Sequence, residues 1–168
     1  MAEESEEDPR FGATKLNKIL YFSDFKAFGM LGESITGATY QRLDRGPAPR
    51  ELLPALRSME AGGELERFER RYFNRPQKVI RPLRGSEASE VLDPAELAIV
   101  DAVLADLREL NASQVSALSH LEAGWRLARD REEIPYETVY ISDRQPTPTE
   151  VAAWQRALAE RRAKRSSS

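Results

Sequence analysis

The sequence contains no cysteine, a single histidine and no long apolar run. Without cysteine the chain forms neither a disulfide nor a thiolate zinc site. Its histidine, His120, has no second histidine with which to bind a metal, and on a helix it points about 100° away from the adjacent Ser119. A nucleophilic serine needs a histidine within hydrogen-bond reach, so these two side chains do not form a catalytic dyad. A membrane-spanning helix needs roughly 20 apolar residues in succession, so none is predicted.

Short motifs of enzymes are also missing. The sequence holds no H-E-x-x-H zinc motif, no G-x-S-x-G nucleophile motif and no G-x-x-x-x-G-K-[ST] phosphate loop. We therefore predict a protein without enzymatic activity, metal or cofactor. The acidic N-terminus lacks the basic and apolar segments of a secretory signal, and together with the absence of cysteine this indicates the cytoplasm.

The most apolar stretch, Thr14 to Gly29, predicts the central helix of the domain. Its apolar side chains recur at helical spacing around most of the circumference, which is typical of a helix inside a core. We expect the helix to span residues 14–28, with Thr14 as the N-cap and Gly29 as the terminating residue. The polar residues of the stretch are expected to form a narrow strip that faces water: Lys15, Asn17, Lys18, Asp24 and Lys26.

Turn and strand signals organise the middle of the chain. The G-P-A-P run at 46–49 predicts an extended turn, because a residue before proline avoids the helical region. A helix near 49–61 is expected to begin late or to be kinked at Pro54, because proline does not fit a helix interior. Strand-type residues predict a hairpin over 64–71 and 77–83.

Capping residues predict three further helices. Asp93 and Asn111 each precede an apolar helical pattern, and the second pattern carries Val115, Leu118, Leu121 and Trp125 on one side. We expect Leu118 and Trp125 to point inward, with His120 at the flank of that side as a structural polar group. A third capping box at 147–150 predicts a terminal helix that docks through Val151, Trp154 and Leu158.

These elements predict an α+β fold: a mainly helical single domain with a small two-stranded β-hairpin between helices. Residues 1–10 are expected to be a disordered acidic N-terminus, residues 11–145 the folded domain, and residues 146–168 a C-terminal helix with a basic tail. The net charge of -3 gives no overall attraction to nucleic acid or to an anionic membrane.

Three separated motifs resemble those of the Panacea domain, the SocA-like antitoxin family. They are T-K-L-N-K-I-L-Y-F at 14–22, R-G-P-A-P at 45–49, and S-H followed by tryptophan five residues after the histidine. The resemblance covers about residues 9–142. The family signature falls on Lys15, Leu16, Leu20, Tyr21, Gly37, Tyr40, Gly46, Pro47, Leu118, Ser119, His120 and Trp125.

The resemblance implies a prokaryotic or phage protein of a toxin–antitoxin system, which neutralises a toxin protein encoded by an adjacent gene. It implies no catalysis and no cofactor. Exposed aromatic and arginine side chains are the expected anchors for such a partner: Tyr40, Arg42, Arg70 and Tyr72. The alternative is a DNA-binding regulator that uses the hairpin as a wing together with the basic C-terminal tail, and the acidic overall charge argues against nucleic acid as a partner.

The sequence departs from the family pattern at two places. Leu121 follows the histidine where the family usually has a glutamate, and Glu122 comes one position later. The family also usually has a full helix before the T-K-L motif, whereas only a dozen mostly charged residues precede it here. Two explanations are open: the helix is missing, or the recorded start lies downstream of the true one. A missing helix is expected to leave part of the first helix exposed, with lower stability or with a partner over the gap.

Overall fold

A computed structural model describes residues 11–72, 74–85 and 88–141 as a mainly helical α+β fold. The helices are α1 Ala13–Leu31, α2 Leu52–Ala61, α3 Ala88–Val91, α4 Pro94–Leu107, α5 Ala112–Ser119 and α6 Ala123–Leu127, and a 3₁₀ helix follows at Tyr136–Tyr140. The predicted fold class is confirmed. The predicted N-terminal segment 1–10 and the helix predicted from Thr147 lie outside the described residues.

Two small antiparallel ribbons connect the helices. The first pairs β1 Tyr40–Gln41 with β2 Ala48–Pro49, and the second is the predicted hairpin, β3 Leu65–Tyr72 with β4 Arg75–Pro82. A two-stranded ribbon is marginal by itself in water. The hairpin is held by Leu65 and Ile80, which are buried in the core beside α1, α4 and α5.

Helix α1 lies at the centre, as its apolar pattern predicts. Leu16 and Ile19 belong to a cluster that also contains residues of α2, the hairpin, α4 and α5. Tyr21 and Phe25 belong to a second, aromatic cluster with Tyr40 and Ile134. Because α1 contributes to both clusters, it joins the two halves of the core.

The ends of α1 differ from the prediction. The helix begins at Ala13 with Gly12 as its N-cap, so Thr14 lies inside it. At the other end Gly32 adopts the left-handed conformation with φ 87°, and its N–H donates to the Phe28 carbonyl at 3.0 Å. The predicted terminator, Gly29, remains helical, because the left-handed residue that ends a helix can be any nearby glycine and Gly32 takes that place.

The predicted capping residues open two of the helices. Asp93 Oδ1 accepts hydrogen bonds from the backbone of Ala95 and Glu96, and Asn111 caps α5 in the same way. Helix α2 begins at Leu52, which places Pro54 in its first turn, where a missing N–H removes no helical hydrogen bond. The late start predicted for this helix is confirmed.

The helix predicted from Asn111 through Trp125 is two shorter helices. Helix α5 ends at Ser119, and the extended backbone of Glu122, with ψ 135°, separates it from α6. The expected inward position of Leu118 is therefore wrong. Leu118 and Leu121 are exposed, whereas Trp125 turns toward the segment that follows β1.

Two glycine substitutions test where α1 ends. Gly32→Ala is expected to lower the free energy of unfolding by about 1 kcal/mol, because a β-carbon is strained at positive φ. Gly29→Ala is expected to raise it by about 0.5 kcal/mol, because alanine favours a helix interior. The β-carbon at position 29 would lie 3.6 Å from Val139 Cγ2, which is ordinary contact. Urea unfolding of both variants gives the measurement, and the opposite order would place the helix end at Gly29.

Candidate functional site

Three charged side chains of α1 are buried. Lys15 and Lys18 are each 2% exposed and Asp24 is 0% exposed, so the prediction that they face water is wrong. The reason is that α1 is surrounded on nearly all sides, which leaves little of its circumference for solvent. Buried charges need hydrogen-bond partners, and Lys15 Nζ donates to the Arg108 carbonyl at 2.8 Å, where α4 ends.

Asp24 fixes the connector between α1 and α2, residues 32–51. Its Oδ1 accepts from the Thr36 backbone N–H and its Oδ2 from the Tyr40 hydroxyl, both at 2.8 Å. Burial and the nearby Asp24 carboxylate raise the pKa of Tyr40, so its hydroxyl keeps the proton that it donates. Tyr40 is 1% exposed, and the expectation that it is an exposed partner contact is therefore wrong. Its ring instead lies 5.5 Å from that of Tyr21 in the aromatic cluster.

Lys18 reaches the second part of the connector. Its Nζ donates to the Pro47 carbonyl at 2.7 Å in a fully buried contact, and burial lowers the pKa of Lys18 to about 8. Gly46, next to this proline, has φ 97°, and a β-carbon there would lie 2.3 Å from Ser119 Oγ. Helix α1, the G-P turn and the end of α5 therefore meet at a point where only glycine fits.

His120, directly after Ser119, stacks on Trp125, which in turn binds the connector. Their rings stack with centroids 3.9 Å apart, and the Trp125 Nε1–H donates to the Leu43 carbonyl at 2.9 Å. The guanidinium carbon of Arg42 lies over the Trp125 ring, 4.4 Å from its centre. The Nε of Arg42 donates to the Trp125 carbonyl. Burial, with the positive charges of Lys18 and Arg42, lowers the pKa of His120, and a hydrogen bond with the Asp44 backbone opposes that shift. Burial and the two neighbouring cations therefore both favour the neutral imidazole.

The family signature separates into two groups in space. Seven of its residues surround the connector: Tyr21, Tyr40, Gly46, Pro47, Ser119, His120 and Trp125. The other five take no part in these contacts. Lys15 binds the end of α4, Leu16 and Leu20 belong to the aliphatic core, Gly37 has φ 66° with open space around it, and Leu118 is exposed.

Sequence reasoning missed Lys18 and Asp24 as parts of this site. The signal that indicates them is the apolar character of α1 around most of its circumference, because such a helix leaves little solvent-facing surface for charged side chains. Of the proposed partner contacts, Arg42 is half-buried against Trp125, and Arg70 is exposed with its Nε donating to Gln77 Oε1 at 2.8 Å. The side chain of Tyr72 lies outside the described part of the structure.

The described residues offer no site for a metal ion: no three histidine, aspartate or glutamate side chains are grouped within them. No helix of the described ranges is long and apolar enough to cross a membrane. Lys18, Asp24, Tyr40 and Trp125 bind groups of the connector or of α1, whereas the buried His120 Nε2 has no hydrogen-bond partner among these residues. This arrangement is that of a structural junction.

A family model described as "Antitoxin SocA-like, Panacea domain" matches residues 16–126. The match extends from the first turn of α1 to α6 and includes the junction of α1, the connector and α5. The chain therefore belongs to the SocA-like antitoxin family with the Panacea domain, as the three motifs predict. No curated protein and no solved structure gave a match.

The packing at the junction predicts that alanine substitution costs much more stability at Gly46 than at Gly37, a second glycine of the family signature. Gly46→Ala is expected to lower the free energy of unfolding by about 3 kcal/mol, because the β-carbon is both strained and overlapped by Ser119. Gly37 also has a positive φ but has open space around it, so Gly37→Ala is expected to lower the free energy of unfolding by only about 1 kcal/mol. Equal losses in chemical denaturation would show that the close approach at Gly46 does not exist.

Lys18 predicts a rise in stability at alkaline pH. Its pKa is about 8 in the folded chain and 10.5 in the reference state, so between these values the unfolded chain binds more protons and stability increases with pH. The pKa values of Tyr21 and Tyr40 are raised in the folded chain, so above about pH 10 these two side chains lower the stability as pH increases.

The expected gain between pH 8 and 10 is about 2 kcal/mol. Lys18→Met removes the titrating group and should flatten this part of the profile. Lys26→Met, a change at an exposed lysine of the same helix, should leave the rise in place. Unfolding free energies at several pH values give the comparison, and parallel profiles for wild type and Lys18→Met would contradict the assignment.

Proposed function

We propose that this protein is an antitoxin that neutralises a toxin protein by binding to it directly in the cytoplasm, and that the toxin is encoded by an adjacent gene. The observation that carries the proposal is the match to the SocA-like family across α1 to α6. Neutralisation by contact requires a stable surface and no catalytic group. The buried junction supports such a surface, because it fixes the connector and the helices relative to one another.

The hairpin offers the contact surface that we favour. Phe68 and Arg70 lie two positions apart on β3 and therefore share one face, opposite the face that carries the buried Leu65. Phe68 is 39% exposed, and the Arg81 guanidinium lies 5.4 Å from the centre of its ring. Exposed aromatic and arginine side chains are the residue types that dominate binding energy in protein interfaces.

The same hairpin does not favour duplex DNA. Glu66 and Glu69 alternate with the arginines of β3, so the strand carries both signs of charge. A wing that follows a phosphate backbone needs a concentrated basic surface. A protein partner, in contrast, is compatible with mixed charge next to an exposed aromatic ring.

Arg70→Ala tests the proposed surface. The variant is expected to bind the product of the adjacent gene about tenfold more weakly or worse, as loss of an interface arginine typically does. Arg129→Ala removes the same charge from an exposed position outside the hairpin and is expected to bind like the wild type.

Affinity is measured by titration, and neutralisation by growth of cells that express both proteins. If the wild-type pair neither co-purifies nor restores growth, the proposed function is wrong. If the wild type binds and Arg70→Ala equals Arg129→Ala, the function stands and the hairpin is not the contact surface.

A further inference from the structure

The register of the hairpin shows which of its backbone groups point away from it. The Leu83 N–H donates to the Glu64 carbonyl at 2.8 Å, so this pair is hydrogen-bonded and the ladder continues at every second pair of residues. The residues between those pairs direct their N–H and carbonyl groups outward. On β3 they are Leu65, Arg67, Glu69 and Arg71, and on β4 they are Pro76, Lys78, Ile80 and Pro82.

The outer edge of β4 is closed to a further strand. Pro76 and Pro82 have no N–H to donate, and proline on an edge strand is a common protection against pairing. Between them, the Lys78 carbonyl lies against the start of α1, where a β-carbon on Gly12 would be only 2.9 Å from it. The two prolines and α1 therefore leave no continuous edge on this side of the hairpin.

The outer edge of β3 is covered over its first half only. The Arg67 N–H donates to Glu60 Oε1 at 3.3 Å, so α2 binds the outward group at this position. Glu69 and Arg71 follow, and both are exposed. Among the described residues, no hydrogen-bond partner lies opposite their outward N–H and carbonyl groups. These two residues form an open edge, to which a neighbouring strand can add by backbone hydrogen bonds.

The charges on this open edge favour a second copy of the same chain as the neighbouring strand. If two β3 strands pair antiparallel about a two-fold axis at Arg70, Glu69 of each copy lies opposite Arg71 of the other. An axis at Glu69 or at Arg71 would instead place like charges opposite each other. The edge is therefore complementary to itself in one register.

The two Arg70 side chains also lie opposite each other in this register. The Nε of Arg70 donates to Gln77 Oε1 at 2.8 Å, and this hydrogen bond directs the guanidinium across the hairpin toward β4. Each Arg70 side chain therefore extends away from the two-fold axis, which reduces the repulsion between the two charges.

We propose that β3 pairs antiparallel with β3 of a second copy through Glu69 and Arg71, so that two hairpins form one continuous sheet. Each outward N–H of these residues then donates to a carbonyl of the other copy. A contact of this length is small and belongs to the weak, transient class of interfaces. It leaves the face with Phe68 and Arg70 open and places the two copies of that face side by side.

Proline and alanine at position 69 test whether the two backbones pair. Glu69→Pro removes an outward N–H and places its ring on the open edge, whereas Glu69→Ala removes the same charge and keeps the N–H. The hairpin accepts proline at such outward positions, as Pro76 and Pro82 show. The dimer dissociation constant is expected to be at least about tenfold higher for Glu69→Pro than for Glu69→Ala. Sedimentation over a range of concentrations gives both constants, and circular dichroism checks that each variant is folded.

An exchange of charges tests the identity of the partner and the register. Glu69→Arg alone places arginines opposite each other, and Arg71→Glu alone places glutamates opposite each other, so each variant is expected to be monomeric. A mixture of the two variants has opposite charges at both opposed pairs. It is expected to associate at least about tenfold more tightly than either variant by itself.

Self-association of the wild type together with both of these results supports the proposal. It is overturned if the wild type stays monomeric up to millimolar concentration, if Glu69→Pro and Glu69→Ala dissociate equally, or if the mixture associates no better than its components. A monomeric wild type whose binding to the product of the adjacent gene is weakened by Glu69→Pro and not by Glu69→Ala would also overturn it, and would assign the open edge to that protein. The sedimentation assay contains this chain alone, so its outcome is independent of the proposed neutralisation.

Discussion

The burial of charge on α1 is the constraint on which the rest of the structure depends. A helix at the centre of a small domain ordinarily carries only apolar groups, yet α1 holds three charged side chains away from water. Each is satisfied by an element that is distant in sequence: Lys15 by the end of α4, Lys18 by the G-P turn, and Asp24 by the connector. Unpaired, each would cost several kcal/mol, so the fold forms only when all these elements are in place.

This constraint explains why the connector needs so little regular structure of its own. Its two short strands, β1 and β2, contain two residues each. Asp24 fixes its beginning and Lys18 fixes the region of Pro47. The segment after α6 closes it from the outside, where the Ile134 N–H donates to the Tyr40 carbonyl at 2.9 Å. A loop anchored at these points behaves as part of the core.

The sequence allowed the element types to be predicted because their signals are local. The caps at Asp93 and Asn111, the hairpin and the late start of α2 each follow from a few neighbouring residues. The end of α1 was predicted at the wrong glycine, since Gly29 and Gly32 are both within reach of the helix end and only packing decides between them. The break at Glu122 likewise depends on where Trp125 finds its partners, and sequence periodicity does not contain that information.

The junction itself was predictable as a set of residues and not as an arrangement. The family signature identified Gly46, Ser119, His120 and Trp125, but the reason for each became visible only in three dimensions. Gly46 is required by the Ser119 side chain across from it, and His120 by the indole on which it stacks. Lys18 and Asp24 were misjudged because a charged side chain on a helix normally faces water, and long-range partners outweighed that preference here.

The order of these partners along the chain has a consequence for synthesis on the ribosome. Helix α1 is made first, whereas the carbonyl that accepts from Lys15 lies 93 residues further on. At 5–20 residues per second, roughly 5–20 s pass before that carbonyl exists. Throughout this interval the Lys15 ammonium lacks its carbonyl partner, whereas the partners of Lys18 and Asp24 are made 29 and 12–16 residues after them. The N-terminal half of α1 is therefore the last part of the helix to receive its hydrogen-bond partner.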